Sequence, residues 1–376
     1  MCEAAGLKIV INALSAKLGG GQTYLKQLLK RLPDSEDLTL LIYAPESLTL
    51  PEDRRIRRGR TSWPTDNPLL RAVWERFALP HILRRERADI LFCPGGVVAT
   101  RAPMGCKTVT MFRNMIPFTP RIVGAMPWGL QRLRNVILRS VMLKSMAGAD
   151  LTIFISDFAR ATIEALAKIP HPITIPHGIG PEFKTAGREL PGPADLSGTR
   201  YLLYVSRIDS YKHHVEVVTA FASLPHQLRS DLKLVLVGET DSPQAVELSS
   251  AISGLGIGDD VILTGPVQYD ALPGWYHNAV ASIFASSCEN CPNILLEALG
   301  SGRPVICSDV MPMPEFGGDG LVYFSPFDPA SLATALRTIL SDPDAASRCA
   351  NAALDRSRHF DWAITASRTW TAIQAL

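Results

Sequence analysis

The sequence predicts an α/β protein made of two doubly wound halves, each a parallel sheet covered by helices on both faces. Three observations predict it. Short apolar runs alternate with segments of helical periodicity along the whole chain. A length of 376 residues favours two domains over one. A stretch from 178 to 200, rich in glycine and proline, interrupts the alternation, which then restarts.

The first half opens with an apolar strand, Leu7 to Leu14, followed by Gly19-Gly20-Gly21. Tyr24, Leu25, Leu28, Leu29 and Leu32 then recur at the 3–4 spacing of a buried helix face, and Pro33 ends the helix. Further strands are expected at Leu38–Tyr43, Ile90–Cys93, Thr108–Met111 and Leu151–Ile155. After the 178–200 stretch, read as an interdomain linker, strands are expected at Tyr201–Val205, Leu232–Val237, Val261–Thr264, Ala281–Ala285, Val305–Ser308 and Leu321–Phe324. Asp328-Pro329 marks a helix start, a capping acid followed by proline at the first helical position. Two such halves leave a cleft between their strand ends.

Composition bounds the class. At 47% hydrophobic and 20% charged the chain is ordinary globular protein. Charges break every apolar stretch before the roughly 18–20 residues a membrane span needs. Met1 to Leu7 carries Glu3 and lacks the basic start and apolar core of an export signal, so a cytoplasmic protein is expected. Residues 1–178 hold 25 Lys and Arg against 14 Asp and Glu, and the remainder holds 13 against 22. Such asymmetry suits one half meeting an anionic surface or acceptor, and a solvated basic face explains it equally well. Seven scattered cysteines do not form a disulfide framework. Cys288 and Cys291 lack the second pair a zinc site needs and read as small packed side chains.

The stretch Ser287 to Gly302 carries the chemistry. Glu289 falls where a strand ends, and Glu297 two turns into the helix that follows. A strand end facing a helix N-terminus suits phosphate, and carboxylates beside it can accept hydrogen bonds from sugar hydroxyls. In the second half, Arg207 and Lys212 follow the first strand and can aim a planar fork and a point charge at one diphosphate. The glycine cluster is neither a P-loop nor a dinucleotide fingerprint, since the Gly-Lys-Ser/Thr ending and the later glycine are missing.

Glu289 and Glu297, with seven residues between them, together with upstream Arg207 and Lys212, resemble the signature of family 4 glycosyltransferases (glycosyl transferases group 1). The resemblance is dense from 201 to 325, thinner from 7 to 178 and weakest at 44–88. It implies the GT-B fold, two Rossmann-like domains facing across a cleft. The first, the acceptor domain, would span 1–178, completed by a terminal helix at 359–376 that Phe360-Asp361-Trp362 introduces, and the nucleotide-sugar donor domain 179–358. It further implies retaining hexosyl transfer from a nucleoside-diphosphate sugar to an acceptor hydroxyl. Arg207 and Lys212 would hold the diphosphate, Glu289 sugar hydroxyls and Glu297 ribose. Gly20 and Gly21 would approach the donor phosphates from the opposite domain.

The sequence departs from the family in three places, one of them His177, which stands for the commoner Asn at the approach to the hinge. Pro292 offers no N–H in the turn between the glutamates, leaving donation to Asn293 and Ile294. Arg113 and Asn114 stand on the acceptor side, where a His or Asp is usual, and neither is a general base. No metal cofactor is expected, since Asp342-Pro343-Asp344 lies between helices. The resemblance implies a glycan or lipid-linked glycan acceptor, polysaccharide or glycolipid assembly, and peripheral contact with an anionic membrane through basic segments such as Arg54–Arg60 and Pro127–Met146. No nucleic-acid partner is expected. A nucleotide-sugar epimerase or hydrolase of the same fold, or a non-catalytic binder, would share these features.

Overall fold

The computed structural model describes residues 6–17 and 19–376. Residues 1–5, on which most of the reading against an export signal falls, and Leu18 lie outside them. The chain divides into two compact units, Met1–His177 with Trp362–Leu376, and Gly178–Asp361.

The first unit holds seven strands: β1 Lys8–Asn12, β2 Thr39–Tyr43, β3 Ile56–Arg58, β4 Ile90–Cys93, β5 Lys107–Phe112, β6 Leu151–Phe154 and β7 Pro172–Thr174. Their order is β3-β2-β1-β4-β5-β6-β7, with every pairing parallel. β4 and β6 are buried along their whole length, which is why they read as unbroken apolar runs. The edge strands β3 and β7 have no sequence counterpart among the expected strands. Each is three residues long and half-exposed, and β3 contributes one apolar residue from within an arginine cluster. Helix Gly20–Leu29 buries Tyr24, Leu25, Leu28 and Leu29 as the periodicity predicts. Helix Trp362–Gln374 packs beside it: Trp370 Nε1 donates to the Leu28 carbonyl at 3.3 Å, and Thr365 Oγ1 to that of Pro176 at 2.8 Å.

The second unit holds β8 Arg200–Val205, β9 Leu232–Val237, β10 Val261–Gly265, β11 Ala281–Phe284, β12 Val305–Ser308 and β13 Val322–Phe324, ordered β10-β9-β8-β11-β12-β13 and all parallel. The run from 178 onward differs from a free linker, because Ile179, Phe183 and Leu196 are buried in this unit's core. Asp328 caps helix Pro329–Ser341, its Oδ1 accepting from the Ala330 N–H at 3.0 Å, an interaction of about 1 kcal/mol.

The order of strands fixes where a ligand can go. Chain progression runs outward from β8 through β9 to β10, and outward the other way from β11 to β13. The carboxyl ends of β8 and β11 therefore flank the topological switch point, where open α/β sheets leave a crevice.

Candidate functional site

The loops leaving β8 and β11 are tied together at that switch point. The Ser287 N–H donates to the Tyr211 carbonyl at 2.9 Å, and the Tyr204 hydroxyl donates to the Lys212 carbonyl at 2.7 Å. His213 completes the tie from a left-handed backbone (φ 55°), its Nε2 2.8 Å from Ser287 Oγ and its Nδ1 3.2 Å from Glu216 Oε1. Gly238, which follows β9, lets the Arg207 loop close. A Cβ there would lie 2.1 Å from the Ser206 carbonyl oxygen.

This scaffold brings Lys212 and Glu289 into direct contact, Nζ donating to Oε1, with both side chains largely buried. The ammonium also sits 5.4 Å from the Tyr211 ring centroid and 5.5 Å from that of Phe284. Arg207 is exposed, and among the described residues no carboxylate pairs with it. Its charge reaches the Tyr211 phenol, as does that of Glu289. Burial and the adjacent Lys212 push the His214 imidazole down to about 3, so it stays neutral behind the lysine. The net result is one compensated ion pair and one free guanidinium.

Glu297 lies deeper. It is the fifth residue of helix Asn293–Leu299, just over one turn in rather than two, and only 7% exposed. The Tyr269 hydroxyl donates to its Oε1 at 2.9 Å, and the Tyr269 ring in turn meets Phe183 edge-on at 5.2 Å. Burial pushes the Glu297 carboxyl up to about 8 against the opposing Tyr269 hydrogen bond. In the turn before it, the Asn293 N–H bonds to the Cys291 carbonyl at 3.0 Å. Ile294 follows as the second residue of the helix, its carbonyl meeting the Tyr276 hydroxyl at 3.4 Å.

The first unit gathers a second set. Gly19 adopts φ 64° and precedes the helix that Gly20 and Gly21 begin. A Cβ on Gly21 would lie 3.2 Å from Arg113 Nη1, so the glycine admits that guanidinium, which also lies 5.8 Å from the Tyr24 ring centroid. Asn114 Oδ1 accepts from the Ile116 N–H at 3.1 Å, closing a local turn. Among the described residues no three His, Cys, Asp or Glu side chains cluster as metal ligands would.

Known proteins resemble the chain across both units. The family model for "Glycosyltransferase Family 4" matches residues 18–183, and that for "Glycosyl transferases group 1" matches residues 192–356. The chain belongs to the group 1, family 4 glycosyltransferases of GT-B fold. It is 31% identical over 187 residues to a glycogen synthase of Mycobacterium tuberculosis, covering 49% of this chain and 43% of that one. The chain spans about half the length of the curated relatives it matches. Two solved structures share the fold over 98% of this chain. Sucrose-phosphate synthase from Thermosynechococcus elongatus has a TM-score of 0.76 at 18% identity and is covered over 98% of its length. Anabaena HepE in complex with UDP-glucose has 0.72 at 16% and is covered over 100%.

Sequence reasoning missed several residues of this cluster. Tyr269 gives no sign because it joins Glu297 from a short turn 28 residues away. His213 and Ser287 flank Lys212 and Cys288 in segments already singled out, yet their contact spans 74 residues.

Proposed function

We propose that the protein transfers a hexose, with retention of configuration, from a nucleoside-diphosphate sugar to an acceptor hydroxyl. The observation that carries the proposal is the set of charges at the β8/β11 switch point: Lys212 held on Glu289, with Arg207 unpaired beside them. An arriving diphosphate offers Lys212 a second partner and takes the free guanidinium of Arg207. As the glycosidic bond breaks, charge grows on the leaving phosphate, and cations already in place stabilise that state more than the ground state. No metal is invoked in this step. Glu289, released from sole contact with Lys212, accepts from sugar hydroxyls. The departing phosphate takes the acceptor's proton on the face it leaves, which gives retention. The UDP-glucose in Anabaena HepE supports a donor of this class.

A thermal-shift panel of UDP-, GDP-, ADP- and dTDP-sugars tests the donor, since binding raises stability by mass action. The product is then examined by NMR for anomeric configuration, with and without acceptor extracts. Stabilisation by no member of the panel overturns the proposal. Free sugar or an epimer formed without acceptor would identify a hydrolase or epimerase instead.

Glu297 gives the donor site a pH signature. With its carboxyl at about 8, Glu297 is mostly protonated in the free protein at neutral pH. Ribose hydroxyls donating to it favour the carboxylate, so binding releases a proton. UDP-glucose affinity is expected to rise with pH from about 6 to 8, by up to about tenfold per unit, and to level off above 8. Glu297→Gln flattens that titration. A flat wild-type profile by calorimetry excludes the ribose role.

We extend the proposal to a lipid-linked acceptor met at an anionic membrane face. Residues 90–149 contain no Asp or Glu and eight Lys and Arg. Within them, helix Leu130–Gly148 exposes Leu130, Leu133, Val136, Ile137 and Val141, with Trp128 just before it. Helix Pro68–Phe77 exposes Leu69, Leu70, Val73 and Phe77. The β3→β4 and β5→β6 connections run the same way across the sheet, so right-handed crossovers put both helices on one face. Apolar side chains interleaved with basic ones suit the interface of an anionic bilayer, each basic residue contributing about 1 kcal/mol. Among the described residues no helix is long and apolar enough to cross the membrane. The protein is expected to sediment with phosphatidylcholine vesicles only when they contain phosphatidylglycerol, and Leu133→Glu with Ile137→Glu to abolish this. Equal recovery of wild type and variant would remove the membrane face.

A further inference from the structure

Tyr269 joins the protein surface to the buried Glu297. It opens the turn Tyr269–Ala271 that follows β10, an edge strand of the second unit, and is 44% exposed. Its hydroxyl nevertheless reaches the interior, donating to Glu297 Oε1 at 2.9 Å. Among the described residues no other hydrogen bond reaches that carboxyl and no Lys or Arg pairs with it. Oε2 is therefore the oxygen left to a ligand.

The tyrosine ring is fixed by its neighbours. Buried Phe183 meets it edge-on at 5.2 Å and meets the Tyr276 ring in the same way at 6.1 Å. Tyr276, in helix Leu272–Asn278, sends its own hydroxyl to the Ile294 carbonyl at 3.4 Å and so does not compete for Glu297. The three rings form one aromatic wall, and the Tyr269 hydroxyl is the part of it that holds the carboxyl.

The surrounding charges say what that hold does. Besides Tyr269, the titratable groups facing Glu297 are the Tyr276 phenol and the Glu182 carboxylate. Burial and the Glu182 charge both oppose ionisation of Glu297, and the Tyr269 bond works against them. Burial and the nearby Glu297, Glu182 and Asp270 push the Tyr269 phenol up, so it keeps its proton and stays a donor at every working pH. A donor on one carboxyl oxygen favours the carboxylate and fixes the plane in which the other oxygen accepts. We infer that Tyr269 is a positioning residue for the donor nucleoside: by holding Glu297 Oε1 it leaves Oε2 set to accept from a ribose hydroxyl. The inference deepens the proposed transferase reading and rests on it for the ribose; the hold of Tyr269 on Glu297 stands on the geometry.

Tyr269→Phe tests this, because it keeps the ring against Phe183 and removes only the hydroxyl. UDP-glucose affinity is measured by calorimetry from about pH 6 to about pH 9.5 on the full chain, on Tyr269→Phe, on Glu297→Gln and on the double variant. The Glu297 carboxyl of the free proteins is followed by carbon-13 NMR, its signal identified by its loss in Glu297→Gln. Without the tyrosine bond the carboxyl should titrate about one pH unit higher. UDP-glucose should then bind about tenfold more weakly at pH 7, and the gap should close to within about threefold at the alkaline end, where both carboxyls are ionised. A loss caused by looser packing would be the same at every pH. In the Glu297→Gln background, Tyr269→Phe should change affinity by less than about threefold. An unmoved carboxyl titration, or a loss of affinity independent of pH, overturns the inference; wild-type binding of UDP-glucose in that event leaves the transferase reading standing. If the wild type binds no nucleotide-sugar at any pH, the transferase reading fails and the ribose role falls with it, even where the carboxyl titration still moves in Tyr269→Phe.

Discussion

Arg207→Ala is expected to lower turnover by about 10²–10³-fold, the loss seen when one preorganised electrostatic stabiliser is removed from a developing oxyanion. The melting temperature should hardly change, because the side chain is exposed and pairs with no carboxylate among the described residues. The loss should fall on kcat more than on KM, since the cation counts most where phosphate charge is greatest. Arg207→Lys restores charge without the planar fork and should recover only part of the rate. EDTA should leave wild-type turnover intact. Near-normal transfer by Arg207→Ala, or a loss of wild-type activity in EDTA that Mg²⁺ reverses, would remove cation-assisted departure as the mechanism.

Lys212→Ala should be worse in two separate ways. It removes the second cation, with a rate loss of at least similar size. It also strands Glu289 in a largely closed site without its partner, and breaking such a pair costs about 3 kcal/mol. Urea unfolding at neutral pH should show that loss. The double variant Lys212→Ala/Glu289→Ala should regain most of the stability and none of the activity, because it leaves no uncompensated charge. A double variant as unstable as Lys212→Ala would mean that the lysine stem's packing, rather than the ion pair, holds the loop.

Much of the fold was legible because burial on both sheet faces writes itself as short apolar runs. β4, β9 and β12 have the bounds expected from composition and punctuation. β3 and β7 were not legible for the opposite reason, since a three-residue edge strand is half-exposed and needs few apolar residues. The arginines around β3 looked like a free basic cluster. In the structure Arg55 pairs with Asp53, Arg57 with Glu86, and Arg58 ties down a loop. At the site, residue types and spacing singled out Arg207, Lys212, Glu289 and Glu297. Spacing could not reveal that Lys212 and Glu289 touch, that Glu297 is sealed beneath Tyr269, or that His213 and Ser287 lock the two loops. Each of those facts joins residues 28 or more positions apart, and only strand order brings them together.

The Lys212–Glu289 contact divides labour between the two cations in time. Until a diphosphate arrives, the ammonium is cancelled by its neighbour and projects little field into solvent. Of these two cations, the exposed guanidinium would then supply the long-range attraction that, on the proposed reading, sets how often donors are drawn in. On the proposed transfer reading, the lysine would take over once the ligand is seated and the freed carboxylate turns to the sugar, so its influence would be on how long the donor stays.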